Sequence, residues 1–283
     1  MDDGVELLWR DRDDESAPRA GLSLDRIVRA GIELADAEGL DGLSMRKVAD
    51  RLGFTTMSLY RHVPGRDQLV ALMRDAAIGE HLNEEPAEEP AEEPSGAGWR
   101  PRLEAMIRQG WRCRRRHPWL AEVRGTRNVP GPNAVALFDR MLSTLTGTPL
   151  HPREVIAAVN LVGRFMDAEA LTLVETLREE RSSGVSEEEW WGARDSLYER
   201  LPAYPTITRL WETGGWDAPE DSFEFGLRRI LDGIEALIHK RDEKRDETCA
   251  ECGNKLDPAP SGRPRVYCSR ACQQRAYRRR RTP

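Results

Sequence analysis

Apolar residues recur along this chain at helical offsets. Leu24, Ile27, Val28, Gly31, Leu34 and Ala35 follow the i, i+3, i+4, i+7 pattern and predict a helix over Leu24–Glu38, with Ser23 as its cap and Gly39 as its stop. The stretch LSMRKVADRLGFTTMSLYRHVPGR, from Leu43 to Arg66, predicts two short helices joined by a tight turn. Ser44 is the N-cap of the first, and Leu43 and Val48 have the spacing of a hydrophobic staple. Val48, Ala49 and Leu52 form its inward stripe, and Gly53 ends it. Thr55 caps the second, which Leu59 anchors to the core. A fourth helix runs from Arg66 to about Glu80, with Leu69, Val70, Leu72 and Met73 inward.

Residues 84–94, EEPAEEPAEEP, break the pattern, because prolines at this interval forbid a regular helix and the like charges repel. They predict a stiff solvated linker or an exposed insertion. Helical offsets resume at Trp99 and predict helices over 99–116, 119–125, 131–146, 152–181, 188–199 and 220–240. His151-Pro152-Arg153-Glu154 is a helix start with proline at N1 and an acid at N3. The helix that follows is apolar on more than one face. The last, with Phe223, Leu227, Ile230, Leu231, Ile234, Leu237 and Ile238, is strongly periodic. These two long helices fit a four-helix dimer interface and a monomer core equally well. The expected fold is therefore all-α.

The expected domains are a flexible arm at 1–21, a helix-turn-helix domain at 22–82, an acidic proline-rich linker at 83–98, a helical domain at 99–242 and a small module at 247–283. No segment reaches the ~18 consecutive apolar residues of a membrane span. The Met-Asp-Asp start lacks the basic and apolar regions of a signal peptide, and the cysteine usage fits a reducing compartment. A cytoplasmic protein is expected.

Charge sharpens the reading of the second short helix. The chain carries a net charge of −6, yet Leu43–Arg66 holds five Lys/Arg against one acid. Thr56, Met57, Ser58, Tyr60, Arg61 and His62 are left on the exposed side, offering hydroxyls, a thioether, a ring and cations. A short helix with that chemistry suits the major groove of double-stranded DNA. Phosphate neutralisation needs such a patch, not a basic protein.

The run from Leu24 to about Ile78 resembles the DNA-binding domain of the tetracycline-repressor (TetR) family. Leu52-Gly53-Phe54, then Ser58-Leu59-Tyr60-Arg61-His62-Val63 and Arg66-Asp67, carry the likeness most specifically. The resemblance implies a homodimer reading an inverted repeat, a C-terminal helical domain for ligand binding and dimerisation, and release of DNA by a small-molecule effector. It makes Arg46, Thr56, Met57 and Ser58 base-edge candidates. Thr55, Tyr60, His62 and Arg66 are phosphate candidates, and Arg61 suits either role. The linker and the C-terminal tail both depart from the family pattern.

Met106, Trp111, Trp119, Asn160, Arg164, Phe165 and Met166 are ligand candidates in the helical domain, with ordinary core packing or solvent contact as the alternative. Cys113, among cations in WRCRRRH, is either a redox-sensitive thiol or a plain core cysteine.

The last motif is Cys249-x2-Cys252 and Cys268-x3-Cys272, with 15 residues between the pairs. Four thiolates at this spacing suit one structural zinc ion, and the run resembles small treble-clef-like modules. A four-cysteine shell leaves no position for catalytic water. Arg263–Pro283 holds eight arginines and no acid, which suits a nucleic-acid contact or a solvated tail. The chain shows no nucleophile–base constellation, phosphate-cradling glycine loop or open metal site, so an enzyme is not expected. The leading expectation is a ligand-responsive repressor. The alternative is a metal- or redox-responsive DNA-binding protein whose zinc tail senses or recruits a partner.

Overall fold

The computed structural model describes residues 3–9, 21–83, 98–123, 129–218, 220–247, 249, 251–256 and 266–281. The fold is all-helical, as expected. The linker repeat at 84–94 lies outside the described residues.

The first unit is built from α2 (Leu24–Glu38), α3 (Met45–Leu52), α4 (Thr56–Tyr60) and α5 (Arg66–Asn83), preceded by the short α1 (Asp3–Leu8). Local signals set its boundaries. The Ser23 hydroxyl accepts from the Arg26 amide, and the Ser44 hydroxyl accepts from the Lys47 amide. Ile27, Val48, Leu59, Val63, Leu69 and Met73 are fully sealed from water in one core. The expected arm is in part folded: Leu8 of α1 is buried in this core, and Trp9 Nε1 donates to the Pro130 carbonyl at 3.1 Å. The Leu7–Leu8 pair is the apolar surface that makes the docking favourable.

The second unit contains α6 (Trp99–Arg116), α7 (Pro132–Thr146), α8 (Pro152–Ser183) and α12 (Ser222–Glu247). Leu103, Ile107, Leu145, Val162, Phe223, Leu227 and Leu231 are buried between them. His151 and Glu154 form a reciprocal capping box at the start of α8. The expected helix over 119–125 is instead a short 3-10 turn at Pro118–Glu122, started by proline. The expected helix over 188–199 is divided into α9 (Glu187–Gly192) and α10 (Asp195–Tyr198), because Gly192 and the cap at Ala193 end the first. A further helix, α11 (Pro205–Glu212), follows where none was expected. The last long helix, expected over 220–240, runs from Ser222 to Glu247, since the alternating KRDEKRDE run is made of helix-compatible charges.

Several contacts weld the units. The 3-10 turn drives Trp119 into the first core. Asp75 on α5 caps α7 by accepting from the Ala134 amide at 3.0 Å and the Asn133 side chain at 3.1 Å. Gly131 permits this approach, because a Cβ there would sit 2.3 Å from the Asp75 carboxyl carbon. Thirdly, the buried Cys113 Sγ donates to the Ala77 carbonyl, joining α6 to α5. The last helix, α13 (Arg270–Arg281), belongs to the C-terminal segment.

Candidate nucleic-acid interface

The α3–turn–α4 hairpin is set by three residues. Gly53 adopts φ 74°, ψ 27°, a left-handed conformation that glycine accepts without a side-chain penalty, and its amide closes α3 on Ala49 and Asp50. The Thr55 hydroxyl accepts from the Ser58 amide and so starts α4. Leu59, with Val63 beyond the helix, plugs α4 into the core. Arg26 lies 5.9 Å over the Phe54 ring and braces the turn from α2.

This anchoring presents a definite face. Met57 is 72% exposed and Tyr60 44% exposed, unusual for residues with so much apolar surface. Arg61 and Thr55 are also exposed. Thr56, Ser58 and His62, all expected on the open side, are half-buried, because a one-and-a-half-turn helix pressed on the core by Leu59 shields its flanks. Ser58 and Thr55 share a 3.0 Å hydroxyl contact.

The five basic residues of this stretch are not equivalent. The Arg46 side chain is 87% exposed, with only a loose 3.8 Å pairing to Asp50. Lys47 pairs with Glu38 at 2.5 Å, and Arg51 with Glu33 at 2.8 Å, both acids lying on α2. Arg66 donates Nε to the Leu43 carbonyl at 3.1 Å and Nη2 to the Leu40 carbonyl at 2.7 Å. Its guanidinium therefore ties the start of α5 to the loop before α3. Arg46 is the most exposed of the paired cations, and Arg61 is also exposed.

The ligand candidates divide. Trp111 stacks on Phe223 with centroids 4.5 Å apart and planes 10° from parallel, and Phe165 stacks on the same ring at 5.7 Å. Met106 packs against that core, and Met166 is buried in it. Asn160 and Arg164 are exposed on α8, away from this layer, and share the solvent side with Ile156 and Leu161. Trp119 belongs to the other core. The two described cavities, about 470 Å³ and about 370 Å³, lie at the junction of the units, against Arg66, Val70 and Ala134 and against Asp36, Trp119 and Arg178 respectively.

Sequence reasoning missed a polar cluster at that junction. His117 is buried, with Nδ1 2.8 Å from Asp36 Oδ1 and Nε2 3.3 Å from Glu80 Oε2. Trp119 Nε1 donates to the same Asp36 oxygen at 2.7 Å. Burial pushes the imidazole toward its neutral form, but the hydrogen bonds and charges of Asp36 and Glu80 outweigh it and raise its pKa above the ordinary value.

The four C-terminal cysteines converge, with all four sulfurs within 4.8 Å of one another. Burial pushes the Cys249 thiol up, yet backbone amides at Cys268, Cys252 and Glu251 bring it down to about 6. Cys268 is pushed up to about 12 by hydrogen bonding with Cys252, Cys272 and Cys249.

Comparison with known proteins places both units. Residues 27–73 match the family model "Bacterial regulatory proteins, tetR family", and residues 89–238 match "Tetracyclin repressor-like, C-terminal domain". The chain is 40% identical over 242 residues to the HTH-type transcriptional repressor DrrR1 of Streptomyces coeruleorubidus, covering 84% of this chain and 86% of that protein. It is 25% identical over 215 residues to the class A tetracycline repressor protein from transposon 1721 of Escherichia coli, covering 75% and 90%. Among solved structures it resembles the TetR family protein ActR of Streptomyces coelicolor in complex with actinorhodin, at 29% identity and a TM-score of 0.62, covering 78% of this chain and 98% of that one.

Proposed function

Since the chain belongs to the TetR family of bacterial transcriptional regulators, we propose that it is a cytoplasmic homodimeric repressor that binds an inverted-repeat operator through α4 and leaves it when a small molecule binds its helical domain. The observation that carries this is the α4 surface. A helix capped by Thr55 and locked by Leu59 holds Met57, Tyr60 and Arg61 outward, and Arg46 on the preceding helix α3 is 87% exposed.

Arg46 and Met57 are assigned to base edges, where a guanidinium pairs with guanine acceptors and a thioether suits a thymine methyl. Tyr60, Arg61 and Thr55 face phosphates. Thr56 and Ser58 on the same helix, and His62 just beyond its end, act at its margins. One short helix covers few base pairs, so a two-fold partner is required for a specific site. Ile156 and Leu161 on α8, and Phe225 on α12, are exposed apolar residues that a partner subunit would cover.

The effector chemistry follows from the aromatic layer. Trp111 and Phe165 both stack on the buried Phe223, so a flat, conjugated ligand would enter by parting this stack and replacing its ring contacts, with Met106 as a deformable neighbour. Structures of relatives include one with actinorhodin and, at 19% identity, one with minocycline. Asn160 and Arg164 lie on the exposed side of α8 with Ile156 and Leu161 and are assigned to the subunit boundary. The mechanism is two-state. The ligand favours one arrangement of α6 and α8, and α5 carries the change to the paired reading helices.

The test is selection of genomic fragments by the purified protein, followed by binding assays with variants. Tyr60→Ala is expected to weaken binding on every sequence, whereas Arg46→Ala costs about 1–3 kcal/mol and relaxes preference at one position. Unchanged affinity and preference in both variants would refute the α4 assignment.

A further inference from the structure

The C-terminal cysteines lie outside both large cores and have a geometry of their own. Cys249 and Cys252 bound a tight knuckle. The Cys249 amide donates to the Asn254 carbonyl at 2.8 Å, and the Gly253 amide returns to the Cys249 carbonyl at 2.8 Å. Gly253 is at φ +72°, the conformation this turn needs. Cys268 precedes α13 and Cys272 lies in its first turn, which the Ser269 hydroxyl helps to cap by accepting from the Cys272 amide. A knuckle and a helix start thus deliver two sulfurs each to one point.

The distances discriminate between sulfur chemistries. Cys252 and Cys268 sulfurs are 3.5 Å apart, and those of Cys268 and Cys272 are 3.6 Å apart. None of these four sulfurs is joined in a disulfide. A tetrahedron with zinc–sulfur bonds of ~2.3 Å has sulfur–sulfur edges of about 3.8 Å. Arg275 Nη2 donates to the Cys272 sulfur at 2.9 Å, and its Nε approaches Glu251 at 3.8 Å. That is the outer-shell support thiolate ligands commonly receive. Cys249 and Cys272 are buried beside Leu256, with Tyr267 against them, and this cluster is far too small to hold a fold without a cross-link.

The second half of the module carries charge of one sign. Eight arginines and no acid lie between Arg263 and Pro283, in a chain whose net charge is −6. Five of the eight follow Cys272 and lie along α13, with Tyr277 among them.

We propose that Cys249, Cys252, Cys268 and Cys272 bind one zinc ion, which folds the C-terminal segment into a module whose arginine-bearing α13 grips the DNA backbone. The closed shell of four thiolates makes the zinc structural. The grip is sequence-independent, since it rests on phosphate neutralisation. It builds on the DNA-binding reading above but is measured separately from it.

The experiment uses the full chain, a Cys252→Ser/Cys268→Ser variant and an Arg278→Gln/Arg279→Gln/Arg280→Gln/Arg281→Gln variant. Metal analysis is expected to find about one zinc per chain in the wild type and the arginine variant, and none in the cysteine variant. Binding to random duplex DNA across salt concentrations is then compared. Each lost phosphate contact lowers the log–log salt slope by about 0.9, so both variants are expected to lose roughly 2–4 from the slope. Wild type purified without chelators and free of zinc would overturn the metal site. Unchanged slopes in both variants would overturn the DNA grip. A wild type that keeps its steep slope on random duplex but selects no genomic site would count against the operator reading while supporting the tail.

Discussion

Replacing His117 with phenylalanine isolates the latch between the two units. His117 closes α6, where its backbone amide donates to the Cys113 carbonyl, and its side chain is almost fully sealed from water. Asp36 from α2 lies against Nδ1 and Glu80 from α5 against Nε2. Both neighbours are acceptors, so both ring nitrogens donate, which only the imidazolium does. Arg116 stands 4.0 Å from Glu80, and the Trp119 indole donates to Asp36, so the carboxylates keep other partners after the substitution. Phenylalanine retains the ring's bulk and removes the two charged hydrogen bonds. Such bonds are worth about 1.5–3 kcal/mol each when buried. The Glu80 contact is longer and half-exposed, so its share is small, and the expected loss is about 2–4 kcal/mol at acidic pH. The sign with pH follows from the raised folded-state pKa. The stabilisation is fully present below the unfolded-state pKa of ~6.5 and is lost as pH rises through the higher folded-state value. Urea unfolding of both proteins at about pH 6 and about pH 8.5 reads this directly. The gap between wild type and His117→Phe should narrow at the higher pH. A gap that is constant, or that widens with pH, would refute the imidazolium latch.

Other substitutions test neighbouring parts. Arg66→Ala removes two hydrogen bonds to the Leu43 and Leu40 carbonyls and should cost about 1–3 kcal/mol in unfolding assays, whereas Arg61→Ala should leave stability unchanged and lower the DNA salt slope by about one. Leu59→Ala, at a position with no exposed surface, should destabilise the first unit by about 2–5 kcal/mol and abolish site-specific binding. Gly226→Leu should cost about 1–3 kcal/mol by calorimetry, because even a Cβ there falls 2.4 Å from the Phe165 ring.

What the sequence disclosed was mostly local. The caps at Ser23, Ser44 and Thr55 and the left-handed turn at Gly53 involve residues within one or two helical turns, so their chemistry is written in adjacent letters. The same holds for the capping box at His151–Glu154 and for the knuckle at Cys249–Gly253. Long-range partnerships were hidden. Nothing near Arg66 says that its guanidinium turns back to Leu40 and Leu43 rather than out to a phosphate. Trp119 was assigned by chain position to the helical domain, yet a proline-started 3-10 turn carries it into the other core. His117 meets Asp36 from 81 residues away, a pairing that only tertiary packing creates. Asn160 shares a helix with Phe165 but not its side, because α8 is apolar around much of its circumference and periodicity alone does not say which neighbour each face meets.

In the proposed complex a symmetric pair of α4 helices reads DNA. Hydroxyl-radical footprinting of the wild type on fragments it selects tests that claim most directly. Two protected patches related by a dyad are expected, centred about one helical turn or a whole number of turns apart on an inverted repeat, and both lost together in Tyr60→Ala. A single unsymmetrical patch, or a symmetric footprint that Tyr60→Ala leaves unchanged in position and affinity, would contradict it.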